Sequence, residues 1–178
     1  MALTTVITEK TVFRTPSHTV CLTELTQRWA SAARSVCDIK GLKFNCNMEK
    51  GLPERIVVDS ETLTAVATLL LFNAVTFTTE GAVALTLRRV ESALSIEVRD
   101  TGVGSATHVA PTIQIVTQGW RVSAERRSSQ SPSGLAFIRQ LVHSMDGTLN
   151  IENLPDQGHA VTMLIPLTDA DATQPARP

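Results

Sequence analysis

The chain has 178 residues, which suits a single domain, and 43% of them are hydrophobic, enough apolar material for a packed core. A formal net charge of −1 and an isoelectric point near 6.4 argue against a nucleic-acid-binding or membrane-surface protein. No apolar run reaches the roughly 20 residues of a spanning helix, no signal peptide is visible, and the three cysteines form no Cys-x-x-Cys pair. We therefore expect a cytoplasmic domain with reduced thiols.

The first half of the chain predicts two helices and two strands after an extended lead-in over residues 1–19. Apolar residues at helical spacing and strand-like alternation place them at 23–39 (helix), 42–47 and 55–58 (strands) and 60–77 (helix). Gly41 can end the first helix, and Asp59 can cap the second.

The second half predicts four strands, one helix and a long irregular segment. The regular elements are strands over 82–89 and 93–100, a helix over 133–145, and strands over 148–152 and 160–165. Gly147 is predicted to end the helix in a left-handed conformation. Residues 105–133 have little periodicity, and residues 168–178 form a polar tail expected to be disordered. Three helices on one face of a mixed, mostly antiparallel sheet make an α/β two-layer sandwich.

The most informative motif is Asp100-Thr101-Gly102-Val103-Gly104, directly after the strand over 93–100. A carboxylate at a strand end can accept a hydrogen bond from an exocyclic amine, and the two glycines let backbone approach a flat ring. Taken alone, such a turn is more often simply a tight turn.

Together with two neighbours, Leu70–Thr78 and Gly134–Gly147, this motif resembles the catalytic and ATP-binding domain of sensor histidine kinases. That domain belongs to the ATPase superfamily shared with DNA gyrase, a heat-shock chaperone and mismatch-repair ATPases. The resemblance covers residues 20–167 and implies the Bergerat fold, which is the sandwich described above.

The resemblance also implies a ligand, ATP or ADP with magnesium, and a role for each matching residue. Asp100 would accept the adenine amine, with Gly102 and Gly104 lining the base. Asn73 matches the asparagine that holds magnesium, an ion that prefers oxygen ligands. The helix start at Gly134-Leu135 would face the phosphates.

Several positions depart from the family's pattern, mostly at the phosphate end. Leu69 stands where these kinases carry a polar residue, and Thr76 stands where they carry a lysine that contacts phosphate. The glycine-rich lid is reduced to Gln130–Gly134, in which Pro132 has no amide to donate. His159 replaces a small hydroxyl residue, and we expect its side chain to point to solvent rather than crowd the pocket.

The segment over 105–133 also lacks the family's phenylalanine box, which is matched only by Ile113-Gln114-Ile115-Val116. We expect the segment to be poorly ordered or to fold in a way that active kinases do not use. Its apolar residues would either fold back over an empty cleft or dock a partner, and we favour the first. They are Ile113, Ile115, Val116 and Trp120.

None of the four histidines lies in the family's phosphoacceptor pattern, and no helical hairpin is visible before the matched region. We therefore do not expect the chain to phosphorylate itself as those kinases do. The expected partner is a histidine-containing dimerisation domain or a response-regulator-type signalling protein. The histidines are His18, His108, His143 and His159.

Three functions remain open from the sequence. The first, which we favour, is a degenerate domain that binds nucleotide weakly or not at all and acts through protein contacts. The second is a working ATP-binding kinase domain that phosphorylates a histidine or serine on a separate domain or partner. The third is a phosphotransfer adaptor with a vestigial ATP-binding fold, which would need a histidine-bearing hairpin.

Overall fold

The computed structural model describes residues 17–102, 134–154 and 158–168. Within them the chain forms seven strands and three helices, and the elements that were predicted begin and end within one residue of the predicted bounds. In chain order they are β1 (His18–Cys21), α1 (Leu22–Lys40), β2 (Lys43–Met48), β3 (Arg55–Val58), α2 (Ser60–Phe77), β4 (Ala82–Val90), β5 (Ala93–Asp100), α3 (Gly134–Ser144), β6 (Thr148–Asn153) and β7 (His159–Pro166).

Five of the strands form one mixed sheet in the order β2-β4-β5-β7-β6. β2 runs parallel to β4, and the other neighbours are antiparallel. A separate antiparallel pair joins β1 to β3, so that His18 and Thr19, at the end of the predicted lead-in, lie in a strand. The three helices pack against the five-stranded sheet, which confirms the α/β two-layer sandwich.

α2 is the central helix, because it packs against β4 and β5 and contacts both α1 and α3. Asp59 caps its start by accepting a hydrogen bond from the Thr62 amide at 3.0 Å. By length and composition alone the 18 residues of α2 would also suit a membrane, with a mean hydropathy of 1.3. Half of that helix is buried inside the domain, as is usual for a core helix of a folded domain.

Residues that alternate along the strands form the face covered by the helices. On β4 and β5 the buried side chains Leu85, Leu87, Ile96 and Val98 stand in register as pairs on this face. α1 adds a stripe with Trp29 at its centre, and Gly41 ends that helix with a φ of 72°. Because successive strand residues alternate between faces, this register also decides where the last residue of each strand points.

All three cysteines are free thiols. Burial raises the pKa of the Cys37 thiol, as does the neighbouring charge of Asp38. Burial likewise raises the pKa of Cys46. A raised pKa favours the protonated and less reactive thiol, so these two cysteines belong to the packing of the domain.

The prediction that Gly147 ends α3 in a left-handed conformation was wrong. Asp146 takes that conformation, with a φ of 57°. Gly147 is needed for another reason, since an added Cβ would lie 2.7 Å from the Leu164 carbonyl oxygen and 2.8 Å from Cδ1 of Ile165. The chain therefore passes too close to β7 for a side chain at this position.

Candidate functional site

Asp100 is the last residue of β5, the central strand of the sheet. Its side chain lies on the helix-covered face, because Val98 and Ile96 precede it on the same side of the strand and are buried. The residue is 7% exposed, and its Oδ1 accepts a hydrogen bond from the Gly102 amide at 2.9 Å. The carboxylate is thus held in a fixed orientation at the end of the core.

Glycines allow the backbone to crowd around this carboxylate. A Cβ on Gly102 would lie 2.7 Å from the carbonyl oxygen of Phe77, the last residue of α2. A Cβ on Gly158, whose φ is 114°, would overlap the Asp100 carbonyl oxygen. The end of α2, the end of β5 and the start of β7 therefore meet at one place.

Asn73 lies one helical turn before Phe77 on α2 and is partly buried. Since α2 packs on β5, Asn73 and the Asp100 carboxylate lie on the same side of the sheet. Gly134 and Leu135 are the first two residues of α3, a helix that also contacts α2. Gly104, the remaining residue of the predicted set, lies outside the described residues, as does the apolar segment over 113–120.

His159 lies opposite Asp100 in the register of β5 and β7, and its Nδ1 is 3.8 Å from Asp100 Oδ1. Only 15% of the imidazole side chain is exposed. The expectation that His159 points to solvent was therefore wrong. Directly paired residues of neighbouring strands project to the same face, so the register directs His159 toward the carboxylate.

The two substituted positions on α2 have different surroundings. Leu69 is 8% exposed and belongs to the hydrophobic core. Thr76 is exposed near the end of the helix. Neither side chain supplies a charge, and the Leu69 side chain offers no polar atom at all.

Lys40 is a residue near the site that the sequence analysis missed. Its Nζ donates hydrogen bonds to the carbonyl oxygens of Val75 at 2.6 Å, Thr78 at 3.0 Å and Thr76 at 3.3 Å. A cation at the end of α2 satisfies carbonyls that the helix itself leaves unpaired. A lysine in the last turn of α1 gives no sequence signal for a contact with α2, because the partners are 35–38 residues away.

Within the described residues, no group of three or more His, Cys, Asp or Glu side chains is placed to hold a metal ion. Asn73, the residue predicted to bind magnesium, carries an amide oxygen of the kind that a hard cation prefers.

Comparison with known proteins places this arrangement in a family. Residues 58–169, more than half of the chain, match the model of the histidine kinase-, DNA gyrase B- and HSP90-like ATPases. The sensor histidine kinase RcsC of Escherichia coli is 34% identical over 140 residues, which are 76% of this chain and 14% of RcsC. The kinase BarA of the same organism is 25% identical over 124 residues, 67% of this chain and 14% of BarA.

Solved structures agree on the fold. The full-length ShkA structure in complex with AMPPNP superposes with a TM-score of 0.68 at 21% identity, covering 88% of this chain and 32% of ShkA. The nucleotide-free catalytic domain of the histidine kinase ThkA gives 0.64 at 17% identity, covering 88% of this chain and 99% of that domain. This chain spans about one seventh of the length of the RcsC and BarA proteins that it matches. It belongs to the histidine kinase-, DNA gyrase B- and HSP90-like ATPase family and is similar to the catalytic domains of sensor histidine kinases.

Proposed function

We propose that this chain is a histidine-kinase-type ATP-binding domain of two-component signalling that binds adenine nucleotides weakly and acts mainly through protein contacts. The observation that carries the proposal is the contrast between the two ends of the site. The base end keeps a buried, oriented carboxylate in Asp100. The phosphate end has a core leucine at 69 and an uncharged Thr76.

At the base end, Asp100 would accept the exocyclic amine of adenine. Oδ1 already accepts the Gly102 amide, and no described residue donates a hydrogen bond to Oδ2. A carboxylate oxygen accepts more than one hydrogen bond, so Oδ2 can take an amine donor without loss of the Gly102 bond. Because Asp100 is buried, this bond would be less weakened by water than one on the surface.

At the phosphate end, Asn73 would offer its amide oxygen to a magnesium ion that also binds the phosphates. The N-terminus of α3 at Gly134 would add unpaired backbone amides, which suit an anion. Loss of a lysine at position 76 removes a charge-assisted contact of about 1.5–3 kcal/mol. Such a loss weakens binding roughly tenfold or more without abolishing it.

The partner that we propose is a histidine-containing dimerisation domain or a response-regulator-type protein in the cytoplasm. The matched relatives, of which this chain spans one seventh, are named sensor histidine kinases and carry much more chain than this domain. Three large apolar side chains of the described residues are exposed: Ile39 on α1 at 85%, Phe72 on α2 at 44% and Val90 at the end of β4 at 37%. All three are available for contact with another protein.

The alternative is a working kinase domain that phosphorylates a histidine or serine on a separate domain or partner. Asn73 favours it, because this residue is retained and lies on the same side of the sheet as Asp100. With magnesium and phosphates positioned by Asn73 and α3, transfer would depend mainly on positioning and charge neutralisation.

Calorimetric titration of the whole chain with Mg-ADP and with a magnesium complex of a non-hydrolysable ATP analogue tests the proposal. We expect weak binding, with similar affinities for the two ligands, because the base contributes most of the contacts. Submicromolar affinity for the ATP analogue that is lost on removal of magnesium would contradict the proposal and favour the working kinase.

A further inference from the structure

We propose that His159 is a specificity-determining residue of the base site, and that its protonated form competes with the nucleotide for Asp100. Nucleotide affinity would then fall as the pH falls from 8 to 6. This inference rests on the proposed function, because it concerns the Asp100 carboxylate that we propose as acceptor of the adenine amine. Protonated His159 would compete with the amine for that carboxylate.

The first support is the geometry of the cross-strand row. Asp100 is paired with His159, and His159 with Asn153, so the three side chains project to the same face at the end of the sheet. His159 Nδ1 is 3.8 Å from Asp100 Oδ1, with 15% of the histidine and 9% of the aspartate side chain exposed. A base that reaches Asp100 therefore has to approach beside the imidazole.

The second support is the donor balance at the carboxylate. A neutral imidazole has one N–H donor and one acceptor nitrogen, whereas a protonated imidazole has two donors and a positive charge. Asp100 Oδ1 already accepts the Gly102 amide. A protonated His159 would neutralise the carboxylate and engage its remaining acceptor capacity, so the adenine amine would gain less from the same site.

The third support concerns the charged groups on the elements around His159. Lys40 of α1 donates its ammonium group to carbonyl oxygens at the end of α2, so that charge is already hydrogen-bonded there. The end of α2, from Leu70 to Phe77, carries no titratable side chain. On α3, Arg139 and His143 are exposed, and on β6 the Glu152 carboxylate is hydrogen-bonded to Asn150 on the other face of the sheet. Among the described residues, Asp100 is thus the charged group that lies 3.8 Å from His159, so a positive charge on the imidazole would act first on this carboxylate.

The experiment is a calorimetric titration of the whole chain with Mg-ADP at pH 6, 7 and 8. Three proteins are compared: the wild type, His159→Gln, whose side chain cannot become charged, and His143→Gln as a control on the exposed face of α3. The terminal phosphate of ADP also titrates near pH 6, and comparison of variants with the same ligand removes its contribution. Thermal unfolding monitored by circular dichroism at each pH checks that the variants are folded.

We expect the affinity for Mg-ADP to fall between pH 8 and pH 6 in the wild type and in His143→Gln. That fall should be roughly fivefold or more larger than the fall measured for His159→Gln. Parallel pH profiles for the wild type and His159→Gln, with binding at pH 8, would overturn this inference and leave the proposed function standing. Absence of binding by all three proteins at every pH would overturn both.

Discussion

At the scale of single residues, two polar side chains stand at the ends of neighbouring strands in the candidate site. On the helix-covered face of β5, the side chains are apolar up to Asp100. On the same face of β7, the side chains begin with His159 and continue to Met163. Burial of a carboxylate destabilises the folded state unless the carboxylate is hydrogen-bonded. The hydrogen bond from the Gly102 amide offsets part of this desolvation free energy. The remaining acceptor capacity is what makes Asp100 suitable for a ligand.

Asp100→Asn should abolish measurable adenine binding, because the amide can present a donor to the amine of the base instead of an acceptor. The matched control is Glu97→Gln, the same chemical change on the same strand. Glu97 lies on the opposite face of the sheet, where its carboxylate is 3.8 Å from Arg88. Titration with Mg-ADP should detect binding for Glu97→Gln and none for Asp100→Asn. Equal binding by both variants would remove Asp100 from the base site.

The order of motifs proposes Asp100, Asn73 and Gly102 as site residues, and their roles stay a prediction. The contacts around Asp100 that the structure shows could not be predicted from the sequence. The approach of His159 to Asp100 depends on a strand register between residues 59 positions apart, and no local pattern specifies such a register. This is why the orientation predicted for His159 was wrong.

At the scale of secondary-structure elements, local signals predicted α1 and α2 well because each of these helices has a boundary residue with a physical role. Asp59 caps α2, and Gly41 ends α1 in the left-handed conformation. The pairing of β1 with β3 and the parallel pairing of β2 with β4 were not predicted. Both pairings join segments separated by a helix, so only the tertiary packing brings them together.

Lys40→Met should destabilise the domain by about 1–2 kcal/mol, because it leaves carbonyls at the end of α2 without their charged donor. The methionine keeps much of the apolar stem, so the loss reports on the ammonium group. Lys43→Met is the matched control, since Lys43 is an exposed lysine at the start of β2. Urea unfolding followed by circular dichroism measures both. A loss for Lys40→Met no larger than that for Lys43→Met would show that these hydrogen bonds add little to stability.

At the scale of the whole molecule, the requirements of the hydrophobic core act differently on the two positions of α2 that depart from the family's pattern. Leu69 of α2 is buried in the hydrophobic core, at a position where the resemblance to sensor histidine kinases implies a polar residue. Thr76, by contrast, is exposed, so no packing requirement excludes a lysine there. A polar side chain at position 69 would therefore disturb the core, whereas a lysine at position 76 would not.

Thr76→Lys should restore part of the phosphate affinity, with binding of a magnesium-bound ATP analogue about tenfold tighter than in the wild type. Adenosine, which has no phosphates, should bind as before, because the base end is unchanged. The nearby Lys40 ammonium, 3.3 Å from the Thr76 carbonyl oxygen, adds a like charge and limits the gain. Titrations of the same protein with both ligands separate a phosphate effect from a general change in the site.

Thr68→Lys is the matched control for this gain, since Thr68 is also an exposed threonine on α2, eight residues before Thr76. It adds the same charge two helical turns away, where a lysine would contribute only a long-range attraction that salt screens. We expect the affinity of Thr68→Lys for the ATP analogue to match that of the wild type at physiological ionic strength. An equal gain in both variants would mean that net charge, rather than a contact at position 76, controls phosphate binding. No gain in Thr76→Lys would mean that the missing lysine is not what limits phosphate binding at this end of the site.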